Sequence, residues 1–125
     1  MKHERVAVIG ASSKTNRYSY KAIKLLKEHN HIPVPVSVRS TEILGFKAYR
    51  TVEDIKGSID TVTLYVNPKV LAPMIDAIIA MQPKRVIMNP GTESEEAKLL
   101  FTEHGIHVVE ACTLVLLKTE QFTRV

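Results

Sequence analysis

The sequence predicts an α/β fold in which a parallel sheet of five to six strands is covered by helices on both faces. Three observations carry that expectation. Short aliphatic runs alternate with longer segments of helical period. Gly, Asn and Pro punctuate the junctions between them. No repeat, low-complexity tract or linker divides the 125 residues, so a single domain over 1–125 is expected.

Arg5-Val6-Ala7-Val8-Ile9 reads as a buried-type strand that stops at Gly10. Residues 18–30 follow as a helix with Ala22, Ile23 and Leu26 on one face. Asn30 ends it, since Asn tolerates left-handed backbone. Residues 32–38 make the second strand, where Pro33 and Pro35 cannot donate ladder hydrogen bonds and push it towards an edge. Residues 44–49 give a third short strand, and residues 51–56 a short helix. Thr61-Val62-Thr63-Leu64-Tyr65-Val66 is the fourth strand. Leu71, Met74, Ile75 and Ile78 carry the helical spacing of residues 67–81. Pro73 sets the start of regular helix near itself, because an interior proline breaks the ladder.

Residues 85–89 form the fifth strand. Thr92-Glu93-Ser94-Glu95 fits a capping box for the next helix, and Gly105 closes it. Residues 106–110 are the last strand, and an apolar tail covers residues 111–117. Alternating βα units require right-handed crossovers. The expected strand order is therefore 3-2-1-4-5-6, in a Rossmann-like three-layer α/β/α arrangement.

Composition narrows the function. The chain is 45% hydrophobic and 24% charged, as a globular protein is and a disordered one is not. No apolar run is long enough to cross a bilayer, and Met1-Lys2-His3-Glu4-Arg5 leads straight into the first strand. A cytoplasmic location with no signal peptide and no membrane partner is expected. The single cysteine, Cys112, excludes an internal disulfide framework and a Cys-rich zinc site. The net charge of +4 favours anionic partners. The cations are scattered and lack interleaved aromatics, which disfavours nucleic acid and leaves a phosphorylated cofactor.

In such a sheet, ligands sit beyond the carboxyl ends of the strands, where the strand order reverses. Three loops are expected to converge there. They are Gly10-Ala11-Ser12-Ser13-Lys14-Thr15-Asn16-Arg17, then Asn67-Pro68, then Asn89-Pro90-Gly91-Thr92. Each leads into a helix, whose first backbone amides and positive dipole end suit an anion. The first loop has one glycine where the dinucleotide fingerprint has three. Gly10 permits a tight turn, Ser12 and Ser13 can donate to phosphate, and Lys14 and Arg17 add charge. The same residues equally suit a plain turn with a helix cap. After the second strand, Ser37-Val38-Arg39 offers no carboxylate for ribose hydroxyls. That pattern favours a ribose phosphate, as in coenzyme A or NADP, over NAD. Arg39 equally suits a solvated loop.

These stretches are also the ground of a resemblance. Val8-Ile9-Gly10-Ala11-Ser12, Arg17-Tyr18-Ser19-Tyr20, Ile32-Pro33-Val34-Pro35-Val36 and Ile43-Leu44-Gly45 occur in that order. Leu64-Tyr65-Val66-Asn67-Pro68, Asn89-Pro90-Gly91-Thr92-Glu93 and Glu110-Ala111-Cys112-Thr113-Leu114 follow them. With this order and spacing the chain resembles the small CoA-binding domain proteins. Their fold is shared with the N-terminal domain of the succinyl-CoA synthetase alpha subunit. The resemblance implies that residues 10–13 and Arg17 hold the pyrophosphate, with Ser37 and Arg39 at the adenosine end. It implies that Val66, Asn67 and Pro68 wall the adenine and ribose, and that Asn89, Pro90, Gly91 and Thr92 approach the pantetheine arm. One departure stands out. The family commonly has Asn-Pro and then a basic residue after the second strand, where this chain has Ser37-Val38-Arg39.

Other candidates have simpler explanations. Cys112 could lie near a ligand thiol, but a lone cysteine among Ala111, Thr113 and Leu114 reads as a small buried residue. His3, His29, His31, His104 and His107 show no metal-ligand spacing, so no metal site is expected. Glu93, Glu95 and Glu96 suit helix capping and the dipole. Tyr18 and Tyr20 could stack on adenine, although Tyr20 reads better as packing beneath the helix. Gly45 reads as a turn residue. There is no nucleophile with a base beside it, no Gly-x-Ser-x-Gly elbow and no Walker A loop.

The expected function is a non-catalytic module that holds CoA or an acyl-CoA, with catalysis left to a partner. By the resemblance, the synthetase's phosphohistidine and ligase machinery lie outside such a domain. An NADP- or flavin-nucleotide-binding domain of oxidoreductase or regulatory type is a second possibility. A structural or interaction protein with an unused crevice is the third. In that case Leu114-Val115-Leu116-Leu117 would pack on the chain's own sheet or form a homodimer contact.

Overall fold

Val6 to Ile9 are wholly buried, and that is why the first strand carries aliphatic residues on both of its faces. The computed structural model describes residues 3–125. Met1 and Lys2, with which the expectation about a leader begins, lie outside the described residues. Strand β1 (Arg5–Ile9) pairs in parallel with β2 (Ile32–Val36) on one side. On its other side it pairs with β5 (Thr61–Leu64). Strands β6 (Arg85–Met88) and β7 (His107–Glu110) extend the sheet, again in parallel. The order is β2-β1-β5-β6-β7, so the order reverses between β1 and β5.

Alternation along these strands divides the core in two. Ala7, Ile9, Val62, Leu64, Val86 and Met88 face a cluster that includes Ile78 and Phe101. Val6, Val8 and Ile87 face Ile23, Leu26, Leu116 and Leu117. Helix α1 (Tyr18–Glu28) supplies Ile23 and Leu26, and helix α5 (Thr113–Lys118) supplies Leu116 and Leu117. The apolar tail therefore packs on its own sheet. On the opposite face lie α3 (Ile75–Met81) and α4 (Glu95–Glu103), which contribute Ile78 and Phe101. No helix among the described residues is long and apolar enough to cross a membrane.

The sheet has five strands, the lower of the two numbers expected. Residues 44–49 are not a strand of it. Leu44 and Gly45 have φ of 52° and 87° and turn a two-stranded antiparallel hairpin, β3 (Glu42–Ile43) with β4 (Phe46–Lys47). Two successive residues with positive φ are what the tightest hairpin turns require. Only Tyr49 reaches the sheet, in a single parallel bridge to Val36. Pro33 and Pro35 thus sit at the sheet's edge, as their missing donors require.

Other boundaries shift for local reasons. Residues 51–56 hold one 3-10 turn, Val52–Asp54. Helix α2 (Pro68–Leu71) begins before Pro73, and a 3-10 turn at Ala72–Met74 carries that proline before α3 resumes. Asn30 takes φ 66° just beyond α1, and Gly105 takes φ 77° beyond α4. The capping box is corrected: Ser94, not Thr92, caps α4, its Oγ accepting from the Ala97 amide at 3.1 Å. Thr92 is buried and donates to the Asn89 carbonyl at 2.8 Å.

Candidate functional site

A cavity of about 550 Å³ opens beyond the carboxyl ends of β1, β2 and β5, at the reversal of strand order. That size is in the range of small-molecule sites. Gly10 is where its floor is made. Its φ is +84°, and a Cβ there would meet the Tyr65 carbonyl at 2.6 Å and Val66 Cγ1 at 2.8 Å. Only glycine lets β1 turn out so close to the end of β5. The Gly10 and Ala11 amides are then spent on the Val36 carbonyl, at 3.2 and 3.0 Å. Ser12 Oγ accepts from the Lys14 amide at 3.1 Å, so this serine also organises its own turn.

The start of α1 opens onto the cavity. Its N-cap position is Arg17, which has no side-chain cap, and its first turn has no acidic residue. By contrast, Asn67 Oδ1 caps α2 through the Val70 amide at 2.9 Å, and Ser94 caps α4. An uncapped helix start leaves amide donors and a positive dipole end available to an anion. Tyr18 and Ser19, the first two residues of α1, line the cavity.

Charge reinforces this geometry. Lys14, Arg17, Arg39 and Arg50 line the cavity, and no carboxylate among the described residues does. Ser37 is buried, its Oγ accepting from the Arg39 and Ser40 amides at 3.3 and 3.1 Å. That turn sets Arg39 at the rim. Apolar surface gathers there too: Tyr18, Val38 and Val70 line the cavity while 68%, 66% and 44% exposed. Large exposed apolar groups around a charged concavity suit a ligand with both phosphates and flat or aliphatic parts.

Of the residues singled out from sequence, Gly10, Ala11, Ser12, Ser13, Lys14, Arg17, Ser37, Arg39 and Val66 line this cavity. Asn67, Pro68, Asn89, Pro90, Gly91 and Thr92 do not. Asn67 and Pro68 start α2. Asn89 is 3% exposed and turned inward, its Nδ2 donating to Thr63 Oγ1 and the Leu64 carbonyl at 2.7 Å each. Its Oδ1 accepts from the Thr113 amide at 2.8 Å. Cys112 is part-buried at the N-cap of α5 and also lies off the cavity.

Arg50 and Met74 were not legible as site residues, because a hairpin and a proline-interrupted helix bring them there. Tyr65 also lines the cavity, while its hydroxyl is buried and meets no hydrogen-bond partner among the described residues. Burial pushes this phenol up to about 12, against the pull of the nearby Thr113 and Thr63 hydroxyls. Those two hydroxyls are engaged with each other at 2.8 Å. The phenol stays protonated and can serve only as a neutral group.

Fold and site together define a Rossmann-like domain whose cavity at the sheet's carboxyl edge is lined with cations and hydroxyls. The chain belongs to the CoA binding domain family, whose profile matches residues 4–118. A stretch of 65 residues is 42% identical to the alpha subunit of an ADP-forming acetate–CoA ligase II of Pyrococcus furiosus. That stretch covers 51% of this chain and 14% of the subunit. The crystal structure of an uncharacterised protein superposes with a TM-score of 0.91 at 41% identity, over 98% of this chain and 100% of the other. A hypothetical protein of Pyrococcus horikoshii gives 0.88 at 30% identity, over 94% of this chain and 84% of its own.

Proposed function

We propose that this chain binds coenzyme A or an acyl-CoA in the cavity at the carboxyl ends of β1, β2 and β5, as a holding module that does not itself carry out the acyl chemistry. The observation that supports this most strongly is the uncapped start of α1 in a cavity lined by four cations and, among the described residues, by no carboxylate. A pyrophosphate placed there would receive α1's first amides, with Ser12, Ser13, Lys14 and Arg17 around it. Ser37 and Arg39 would meet the adenosine end. Tyr18 and Val38 offer flat or aliphatic surface to the adenine, and Val66, Val70 and Met74 offer it to the rest of the ligand. Asn67, Pro68 and the turn at residues 89–92 would meet the pantetheine arm only where it leaves the rim.

The residues lining the cavity bind and orient: cations, hydroxyls and apolar surface. The resemblance to the Pyrococcus furiosus subunit covers only a small part of that subunit, so any acyl transfer would lie outside the matched region. The family match favours CoA over NADP or a flavin nucleotide. Calorimetric titration of ligand-stripped protein with CoA, NADP and NAD tests the reading. CoA is expected to bind at least about tenfold more tightly than either dinucleotide. Absence of CoA binding, or a preference for NADP, contradicts it.

A further inference from the structure

We infer that Arg50 is the residue with which this cavity recognises a phosphate monoester on the ligand's ribose, so that CoA is taken in preference to its 3′-dephosphorylated form. The inference rests on the CoA reading and adds a residue and a selectivity to it.

Arg50 follows the hairpin, and its place is set by how Tyr49 is bonded to the sheet. The Tyr49 amide donates to the Pro35 carbonyl at 2.9 Å, and the Ser37 amide donates to the Tyr49 carbonyl at 2.8 Å. These two bonds pin the residue before Arg50 to the carboxyl end of β2, where Ser37 and Arg39 stand. Lys47 lies over the Tyr49 ring at 5.1 Å and helps fix it. Arg50 and Arg39 then line one cavity from two separate loops. Among the described residues neither guanidinium forms an ion pair with a carboxylate. Two unpaired guanidiniums match a phosphate dianion, through planar, charge-assisted hydrogen bonds that a ribose hydroxyl cannot replace. They come from two loops other than the one that carries Lys14, Arg17 and the start of α1, whose groups suit the pyrophosphate.

The test is calorimetric titration of CoA and dephospho-CoA into the wild-type protein and Arg50→Gln, with circular dichroism to confirm that the exposed substitution leaves the fold intact. Wild type is expected to prefer CoA by about tenfold or more. Arg50→Gln is expected to lose most of that preference by weakening CoA alone, with dephospho-CoA binding unchanged. If the variant weakens both ligands equally, Arg50 serves the pyrophosphate and the inference is overturned. If the preference survives in the variant, it is overturned while the CoA reading stands. If wild type binds neither ligand, both fall together.

Discussion

Asn89 and Thr113 are joined twice inside the core. The Thr113 amide donates to Asn89 Oδ1 at 2.8 Å, and Thr63 links the two side chains, with contacts of 2.7 Å to Asn89 Nδ2 and 2.8 Å to Thr113 Oγ1. All three residues are 3% exposed or less. This ring ties the ends of β5 and β6 to the start of α5, and so holds the sheet edge on which the cavity is built. Asn89→Ala strands the buried Thr113 amide and takes a donor from Thr63 Oγ1 and the Leu64 carbonyl, which costs about 3 kcal/mol in urea unfolding. CoA affinity at a temperature where the variant remains folded should fall far less than for a residue lining the cavity.

A second prediction concerns pH. The Glu4 amide donates to His31 Nδ1 at 3.0 Å, so the neutral imidazole is the form that fits. Burial is the main force holding His31 below its ordinary 6.5, against the opposing pull of the Glu4 carboxylate; His29, His3 and Arg85 add smaller downward pushes. Because the folded value is the lower one, the unfolded chain takes up the proton first. Stability is therefore full above pH 6.5 and falls as the pH drops from there through the folded value. Urea midpoints between pH 5 and 8 should show this loss in wild type and a flatter profile in His31→Gln.

The far end of the sheet holds a buried ion pair. Arg85 Nη2 lies 3.4 Å from both Glu4 carboxylate oxygens, and Arg85 Nε donates to Thr61 Oγ1 at 2.8 Å. The guanidinium also lies over the Phe122 ring, 4.4 Å from its centre, and Nη1 donates to the Val125 carbonyl at 2.7 Å. Arg85→Met alone should cost about 3–5 kcal/mol, because it leaves a buried carboxylate unpaired. Pairing it with Glu4→Leu should recover a large part of that loss. Equal losses in the single and double variants would contradict this account.

Gly10 gives the sharpest steric prediction. Gly10→Ala must either move the Tyr65 carbonyl or abandon the left-handed turn, since the new Cβ would stand 2.6 Å from that oxygen. The expected result is a loss of about 1–3 kcal/mol in stability, together with weakened CoA binding. Gly91→Ala, where a Cβ meets nothing within 4 Å, serves as the comparison with backbone strain only.

Much of this was legible because the sheet is parallel and buried on both faces. Runs such as Val6-Ala7-Val8-Ile9 and Thr61-Val62-Thr63-Leu64 admit few alternatives, and the alternation with helices then orders the strands. Gly10 marked the cavity from sequence, as did the cations Lys14, Arg17 and Arg39. What escaped was set by context. Leu44 is an ordinary residue for a strand, and only the turn at Gly45 makes it take a positive φ. Arg50 reaches the cavity through the hairpin that follows from that turn. Asn89 has the look of a loop ligand, yet its carboxamide is satisfied by Thr63, Leu64 and Thr113, which lie far away in sequence. Thr92 matched a capping signature, but Ser94, two residues on, has the geometry to fill that role.

By the proposed reading, the start of α1 and the adjoining turn receive the phosphates of CoA. The most direct measurement is amide chemical-shift mapping of the labelled protein as CoA is added. Large shifts are expected at Ser12, Ser13, Tyr18 and Ser19, with a second group at residues 37–40 and 50. Shifts confined to other surfaces, or none at saturating CoA, would contradict it.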